Sequence, residues 1–343
     1  MLKDMPFEIL NWHKDLSKVK LEDFFGFCEV KVYCPKDIVK PLLPHKHNNE
    51  TIFPTGGWKG YYFSEELKAV LPYGYKFKLI KGYEFSKINL FKDYVDHFYY
   101  KKKNAKSDSE RLIAKMHLNQ LYGIFGRKQE LLETKNVYNK DLIQYVSTRI
   151  IKNIIEINDN ITTLIFVNNI NKDILSELDK DLELDLSNSK INSTVKSNVA
   201  IAAAVTSYAR IHMIQFKLDD NVVYTDTDSI FTKKILDEVF LGKELGLMKD
   251  ELSGQIINEG YFLGIKQYGY YYHDKNNNRI EKSVFAGVPR DSISFEEIKE
   301  VFKGETIVKN IPTRFYRSFS NLKMTISDTH LTIKIKNNFF CSF

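Results

Sequence analysis

Tyr224-Thr225-Asp226-Thr227-Asp228-Ser229 sets two carboxylates two residues apart between β-favouring flanks. Asn221-Val222-Val223-Tyr224 before it and Ile230-Phe231 after it read as two short strands around a tight turn, which puts both acids at or near a hairpin tip. Side chains at i and i+2 of a strand share a face, so Asp226 and Asp228 are expected to be neighbours. Two bare carboxylates repel unless a cation or a basic group lies between them. Magnesium keeps its waters and is shared between one or two carboxylates and substrate phosphates, so it suits this pair. An Asx-rich turn holding no metal would account for the same six residues if they stood alone.

Working outward, residues 197 to 217 read as a helix leading into the hairpin, and Gly260 to His273 as an aromatic strand pair after it, with a further helical stretch between. From Leu90 to Arg127 the pattern is also helical. There Arg111, Lys115, Asn119 and Tyr122 fall at i, i+4, i+8 and i+11 and form one stripe, beside an apolar stripe of Ala114, Leu118, Leu121 and Phe125 that can pack down. Two cations, an amide and a phenol on one rigid face suit a nucleoside triphosphate, whose phosphates need neutralising and whose sugar and base need edges to meet. A merely solvated polar face is the alternative. Tyr122-Gly123 and Gly126-Arg127-Lys128 close the helix in a glycine-rich turn that lets a duplex approach the backbone.

The remaining composition is that of a globular chain: 343 residues, 43% hydrophobic, 27% charged and 13% aromatic. No apolar run approaches the length of a membrane span, so a soluble protein without a membrane partner is expected. The net charge is +6, and Lys101-Lys102-Lys103, Lys106, Arg111, Lys115 and Arg127-Lys128 cluster, which fits a polyanionic partner. Cys28, Cys34 and Cys341 lack the even spacing of a disulfide framework and the His partners of a zinc site, so reduced thiols in an intracellular compartment are expected. The first residues show neither the charged-then-apolar pattern of a signal peptide nor the Arg- and Ser-rich pattern of a transit segment. Heavy use of Lys, Asn, Ile, Phe and Tyr points to A+T-rich codons and an organellar, plasmid or viral genome. Strand-like stretches occupy Gly26 to Tyr33 and Tyr75 to Tyr83, around a Pro- and His-containing loop and a short helix after Ser64. Residues 129 to 196, rich in Asn, Asp, Lys and Ile and acidic from Asp173 to Asp185, read as an insertion of irregular strands and helix without turn glycines. Ser294-Phe295-Glu296-Glu297 is a capping box, with Ile298, Val301 and Phe302 as the buried stripe behind it.

These stretches together resemble a known family. Lys115-Met116-His117-Leu118-Asn119-Gln120-Leu121-Tyr122-Gly123 resembles motif B of family B DNA polymerases, Lys-x-x-x-Asn-Ser-x-Tyr-Gly, and Tyr224 to Ser229 matches their motif C, Tyr-x-Asp-Thr-Asp-Ser. The chain is most similar to the protein-primed branch of bacteriophages, adenoviruses and mitochondrial linear plasmids. Thr206-Ser207-Tyr208-Ala209-Arg210 resembles that branch's Thr-x-x-Ala-Arg motif and Lys266-Gln267-Tyr268 its Lys-x-Tyr motif. Phe91-Lys92-Asp93-Tyr94 and Phe53-Pro54-Thr55-Gly56-Gly57-Trp58 are also familial, and the motifs occur in family order.

The resemblance implies an α+β right-hand polymerase fold. Residues 1–90 would be a palm segment with a terminal-protein-type insertion, 91–128 the fingers helices with motif B, 129–196 an insertion, 197–272 palm with motif C and Lys-x-Tyr, and 273–343 the thumb. It implies that Lys115 binds the triphosphate of the incoming nucleotide with Arg111 in support, that Asn119 and Tyr122 line sugar and base, and that Asp228 and Asp226 are the catalytic magnesium ligands, Asp228 being the one shared by two ions. Thr206 and Arg210 would grip primer or template phosphates, Lys266 and Tyr268, on one strand face, the primer terminus, and Gly123 and Arg127 the DNA. Gln120 stands where the family usually has Ser. Primer-template DNA and dNTPs are the implied partners, with a terminal protein as a further one, and mitochondria the implied location.

In the family a second catalytic Asp lies in motif A, Asp-x-x-Ser-Leu-Tyr-Pro, shortly before a segment like Met1 to Pro6, and a proofreading exonuclease precedes it. The expectation from sequence is therefore a C-terminal polymerase segment, lacking the exonuclease domain and the motif A strand, that extends primers little by itself and takes its motif A carboxylate from an upstream polymerase segment. The rival readings are a non-catalytic DNA-binding relic, whose affinity would rest on phosphate contacts and fall steeply with salt, and an unrelated magnesium phosphotransferase.

Overall fold

The computed structural model describes residues 1–127, 132–170, 197–289, 292–318, 323–334 and 341–342. These fall into two compact units, Met1–Ile214 and Gln215–Phe343.

In the first unit, β1 (Met5–His13) and β2 (Gly26–Cys34) are followed by a small hairpin, β3 (His45–His47) and β4 (Glu50–Ile52), then by β5 (Gly56–Phe63), α1 (Ser64–Val70) and β6 (Lys76–Ile88). The hairpin turns on Asn48 and Asn49 with φ of 47° and 65°, the left-handed pair that a two-residue turn requires and that Asn tolerates. The longer strands form an antiparallel sheet in the order β1-β6-β2-β5. Cys28, Val30, Val32 and Cys34 of β2 are buried while Lys31 and Tyr33 are exposed, the alternation of a half-buried strand. Burial pushes the Cys28 thiol up to about 12, and Cys28 and Cys34 are both free thiols. Both expected strands and the helix after Ser64 are present, β6 continuing past Tyr83 to Ile88.

Gly82 of β6 lies where a Cβ would stand 2.5 Å from the Phe27 carbonyl oxygen and 2.8 Å from Cys28 Cβ. Gly82→Ala should therefore force the central strands apart, at about 3 kcal/mol in denaturant unfolding. A loss below about 1 kcal/mol would show that the sheet yields there.

The helical stretch after Leu90 is two helices, α2 (Lys92–Lys103) and α3 (Asp108–Phe125). Ser107 starts α3 by accepting the Glu110 N–H on its hydroxyl. Ala114 is buried, and Leu118, Leu121 and Phe125 pack on a core of Met5, Phe25, Phe63, Phe91, Val95, Ile201 and Ala204, as the apolar stripe predicts. Leu112, Ile113, Met116 and Ile124 are exposed as well, a wider apolar surface than that stripe accounts for.

The insertion is more regular than its composition suggests. β7 (Leu132–Tyr138), α4 (Leu142–Thr148), β8 (Arg149–Asn158) and β9 (Ile161–Ile170) build an antiparallel sheet in the order β7-β9-β8 over Val137, Leu164 and Phe166. A side chain replaces the absent turn glycine: Asn158 Oδ1 accepts the N–H groups of Asn160 and Ile161, each at 2.9 Å. Lys128 and the acidic run from Asp173 to Asp185 lie outside the described residues. The unit's boundary falls within α5 (Val199–Lys217), which starts under Asn198: its side chain accepts the Ile201 N–H and its own N–H donates to Phe125 O. Contrary to the sequence expectation, α5 is long and apolar enough to cross a membrane by length and composition. Ile201, Ala204 and Met213 along it are buried in the protein, while Thr206, Ala209 and His212 are exposed.

The second unit opens with the hairpin β10 (Val222–Asp226) and β11 (Ser229–Thr232). The helical stretch expected next is one 3-10 turn, Glu238–Phe240, followed by a loop. Gly246 and Gly254 there have φ of 90° and 86°, a left-handed backbone that no α-helix continues through. β12 (Ile257–Gly264), β13 (Gln267–His273) and β14 (Arg279–Phe285) form a sheet with β17 (Cys341–Ser342) in the order β14-β13-β12-β17. Across one face lies α6 (Phe295–Phe302), started by the reciprocal Ser294/Glu297 capping box. Phe295, Ile298 and Val301 are fully buried and Phe302 packs at the cluster edge. A long hairpin, β15 (Ile307–Ser318) with β16 (Lys323–Ile333), precedes β17.

Candidate active site

Asp226 closes β10 by pairing with Ser229, so Thr227 and Asp228 form a two-residue tip. Both acids are at the turn, as the flanking strands predict. The period-two argument does not carry to the tip, because Thr227 is left-handed, φ 56°, and breaks the extended backbone on which i and i+2 share a face. A β-branched residue in that conformation is strained. Thr227 Oγ1 donates to Asp226 Oδ1 at 3.2 Å and Ser229 Oγ to the Asp226 carbonyl at 3.1 Å, which ties the turn together. Asp228 is exposed and Asp226 half-buried.

Lys266 answers the charge of Asp226: its Nζ lies 2.7 Å from Asp226 Oδ2. That carboxylate holds the ammonium above its ordinary value. Here the sequence reading needs correcting. Lys266 shares no strand face with Tyr268, because it sits in the turn before β13 with φ 54°. Its N–H donates to Tyr224 Oη at 2.8 Å, and its carbonyl accepts the Ala286 N–H at 2.8 Å. The Tyr224 ring stacks on Phe262 at 4.9 Å and lies 5.3 Å from Tyr268. Motif C thus supplies, through Tyr224 and Asp226, two of the anchors that hold the tip of the Lys-Gln-Tyr hairpin. Nothing in the local pattern marks Tyr224 for that role.

The donor set for a metal is two hard carboxylates, one of them already engaged by a lysine. Among the described residues no cluster of three or more His, Cys, Asp or Glu side chains could hold an ion. Two carboxylates, waters and substrate phosphates fit magnesium, whereas they do not make an all-protein cage.

On α3, Arg111, Lys115, Asn119 and Tyr122 are all exposed along one side of the helix. The side that packs is set by α2. Phe91 is buried, 5.4 Å from Phe125, Tyr94 Oη shares a 3.2 Å hydrogen bond with His117 Nδ1, and Phe98 stacks on the His117 ring at 4.2 Å. Gly123 lies inside the helix with nothing within 4 Å of an added Cβ. Neither backbone nor neighbours demand glycine, which leaves an open notch beside Tyr122. Arg127 is exposed just past the helix end.

On α5, exposed Thr206 donates to the Ala203 carbonyl at 2.9 Å. Arg210 is held by a residue that the sequence reading missed. Glu66 of α1 is 2% exposed; its carboxylate takes Nε and Nη2 of Arg210, the latter at 2.8 Å, and the Ser207 hydroxyl at 2.9 Å. Glu66 stands 144 residues from Arg210 in a run, Ser64-Glu65-Glu66, that carries no signal of such a role.

The family described as "DNA polymerase type B, organellar and viral" matches residues 1–221. The chain belongs to that polymerase family. It is 36% identical over 94% of its length to a "Probable DNA polymerase" of Podospora anserina and 31% identical over 90% to one of Neurospora intermedia. It spans only 28% and 30% of those two relatives. Among solved structures it resembles Phi29 DNA polymerase complexed with primer-template DNA and incoming nucleotide substrates, with a TM-score of 0.63 and 16% identity over 98% of this chain and 55% of that one. Phi29 DNA polymerase complexed with single-stranded DNA gives 0.59 and 17%. At such identity the likeness establishes the fold, a mixed α/β polymerase fold. Membership of the type B family removes the unrelated phosphotransferase from consideration.

Proposed function

We propose that this type B polymerase chain carries the nucleotide-binding, metal-binding and primer-holding residues of a DNA-directed DNA polymerase, which adds dNTPs to a primer 3′ hydroxyl. The carrying observation is the pair of acids at a two-residue tip, with Lys266 of the neighbouring hairpin held on Asp226 and Tyr224. Such a tip presents hard oxygen ligands on a rigid support, and the lysine beside it supplies a cation for the primer strand.

In this reading Lys115 and Arg111 neutralise the triphosphate, Asn119 and Tyr122 meet the sugar and base, and the Gly123 notch admits the nascent pair. Asp228 and Asp226 would hold magnesium, which would supply Lewis-acid activation of the primer hydroxyl and charge neutralisation for the leaving pyrophosphate. A carboxylate from a further polymerase strand completes the ligand set. Lys266 and Tyr268 steady the primer terminus, while Thr206, Arg210 and Arg127 contact phosphates. Residues 1–90 and 197–272 then belong to the palm with its terminal-protein-type insertion, 91–128 to the fingers, 129–196 to a second insertion and 273–343 to the thumb. A terminal protein primer and a mitochondrial plasmid fit the family's organellar and viral description.

Lys115→Ala in the assembled polymerase should raise the KM for dNTP by about tenfold or more with a smaller change in kcat, since an exposed cation on a rigid helix serves mainly ground-state phosphate binding. Steady-state primer extension reads this, and an unchanged KM would remove Lys115 from the triphosphate site. The second reading, DNA binding without catalysis, draws on Asp226 being already satisfied by Lys266. Magnesium-dependent extension that Asp228→Ala removes would exclude it.

A further inference from the structure

The geometry points to the outer face of the first unit's sheet as a docking surface for the phosphate backbone of a nucleic acid strand, separate from the nucleotide and metal sites. It rests on the polymerase reading for its choice of polyanion. Strand register decides which side chains share this face. Lys31 on β2 is directly opposite Lys59 on β5 and Lys78 on β6, so three lysines form one row across the sheet. One step along, Tyr33 is opposite Lys76, and one step the other way Glu29 is opposite Lys81 and Tyr61.

The buried residues between them, Val30 and Val32, point the other way, which leaves the lysines outward. Five lysines therefore surround a single glutamate on this face. Glu29, 7% exposed, takes Lys59 at 2.8 Å and Lys81 at 3.7 Å. Its carboxyl is held below the usual range, chiefly by the Lys59 hydrogen bond. Asp15 feels Lys78 only through space, and its carboxylate is engaged by the N–H and hydroxyl of Ser17. Lys31, Lys76 and Lys78 form no ion pair among the described residues.

Like charges directly opposite each other weaken a sheet, so a row of three lysines costs stability that folding does not recover. A polyanion lying across the row recovers it. Two features favour nucleic acid over an acidic protein segment. Tyr61 and Tyr33 are 70% and 48% exposed among the lysines, which offers ring faces to sugar and base. Lys59 and Tyr61 also line a groove of about 580 Å³ that continues past Lys46 to Thr206 and Arg210. The face is thus contiguous with residues proposed to hold primer or template phosphates.

The test is binding of a fluorescein-labelled primer-template duplex to the 343-residue chain, by anisotropy across a salt series. A Lys31→Gln/Lys76→Gln/Lys78→Gln variant should weaken binding by about tenfold or more and lower the slope of log K against log salt by about 2 to 3, the release expected for two or three lost phosphate contacts. Its melting temperature should stay level or rise, which separates lost contact from lost fold. An unaltered slope with full binding overturns the docking surface and leaves the polymerase reading standing, because extension measures that reading independently. Absence of duplex and single-strand binding by the unaltered chain overturns the docking surface too. Poly-L-glutamate competing the probe off at lower charge concentration than unlabelled DNA would overturn it in favour of an acidic protein surface.

Discussion

Asp228→Ala should abolish template-directed nucleotide addition in the assembled polymerase, lowering kcat by about three orders of magnitude or more, the scale lost when a group that stabilises developing charge is removed. The argument is local. Asp228 is the exposed one of the two acids, and half-buried Asp226 already shares its charge with Lys266. Removing Asp228 thus deletes the carboxylate best placed to accept a divalent ion without displacing a resident cation. Primer-template affinity should change by less than about twofold, because neither the Lys266 turn nor the aromatic packing under it depends on Asp228. Single-turnover extension at saturating magnesium, with anisotropy on the same protein, separates the two effects. Extension within tenfold of the unaltered enzyme would remove Asp228 from the metal site. Loss of extension together with loss of DNA binding would instead show that the tip is a structural support.

Glu66→Ala should be the most destabilising substitution of a charged residue in the first unit, by about 3 kcal/mol or more in denaturant unfolding. Removing one partner of a buried ion pair leaves the other desolvated and unpaired. The Glu66 carboxylate is almost wholly buried and takes three hydrogen bonds, two from Arg210 and one from Ser207. Glu66→Gln keeps the shape and an acceptor oxygen but loses the charge, and should fall between Glu66→Ala and the unaltered protein. The Lys92–Asp96 pair makes the contrast: at 2.6 Å it is a short contact, yet both partners are more than half exposed, and deleting it should leave stability unchanged. A Glu66→Ala loss of less than about 1 kcal/mol would mean that Arg210 finds water or another acceptor in the groove.

Much of the site was legible in the chain. The acidic hairpin, the exposed polar stripe of α3 with its apolar side packed down, the helix that leads into the hairpin and the capped α6 all follow from periods of two and 3.6 and from local capping chemistry. Where the reading failed, a side chain or a backbone twist had substituted for the expected signal. Asn158 makes the turn that no glycine marked. Gly246 and Gly254 end the helical pattern after β11. Lys266 leaves the strand face for a left-handed turn because Tyr224 and Ala286 grip its peptide.

Which residues share a helix stripe or flank a turn, and through the ordered motifs which family the chain joins, can be read along the chain. Those properties depend on neighbours within four or so positions, and a sequence displays them directly. Which charges are spent on one another follows from the fold. Asp226 meets Lys266 from 40 residues away, Glu66 meets Arg210 from 144, and the lysines of three strands meet in one row through sheet register. The worth of each pairing is set by how far burial strips water from it, and the folded surface alone settles that.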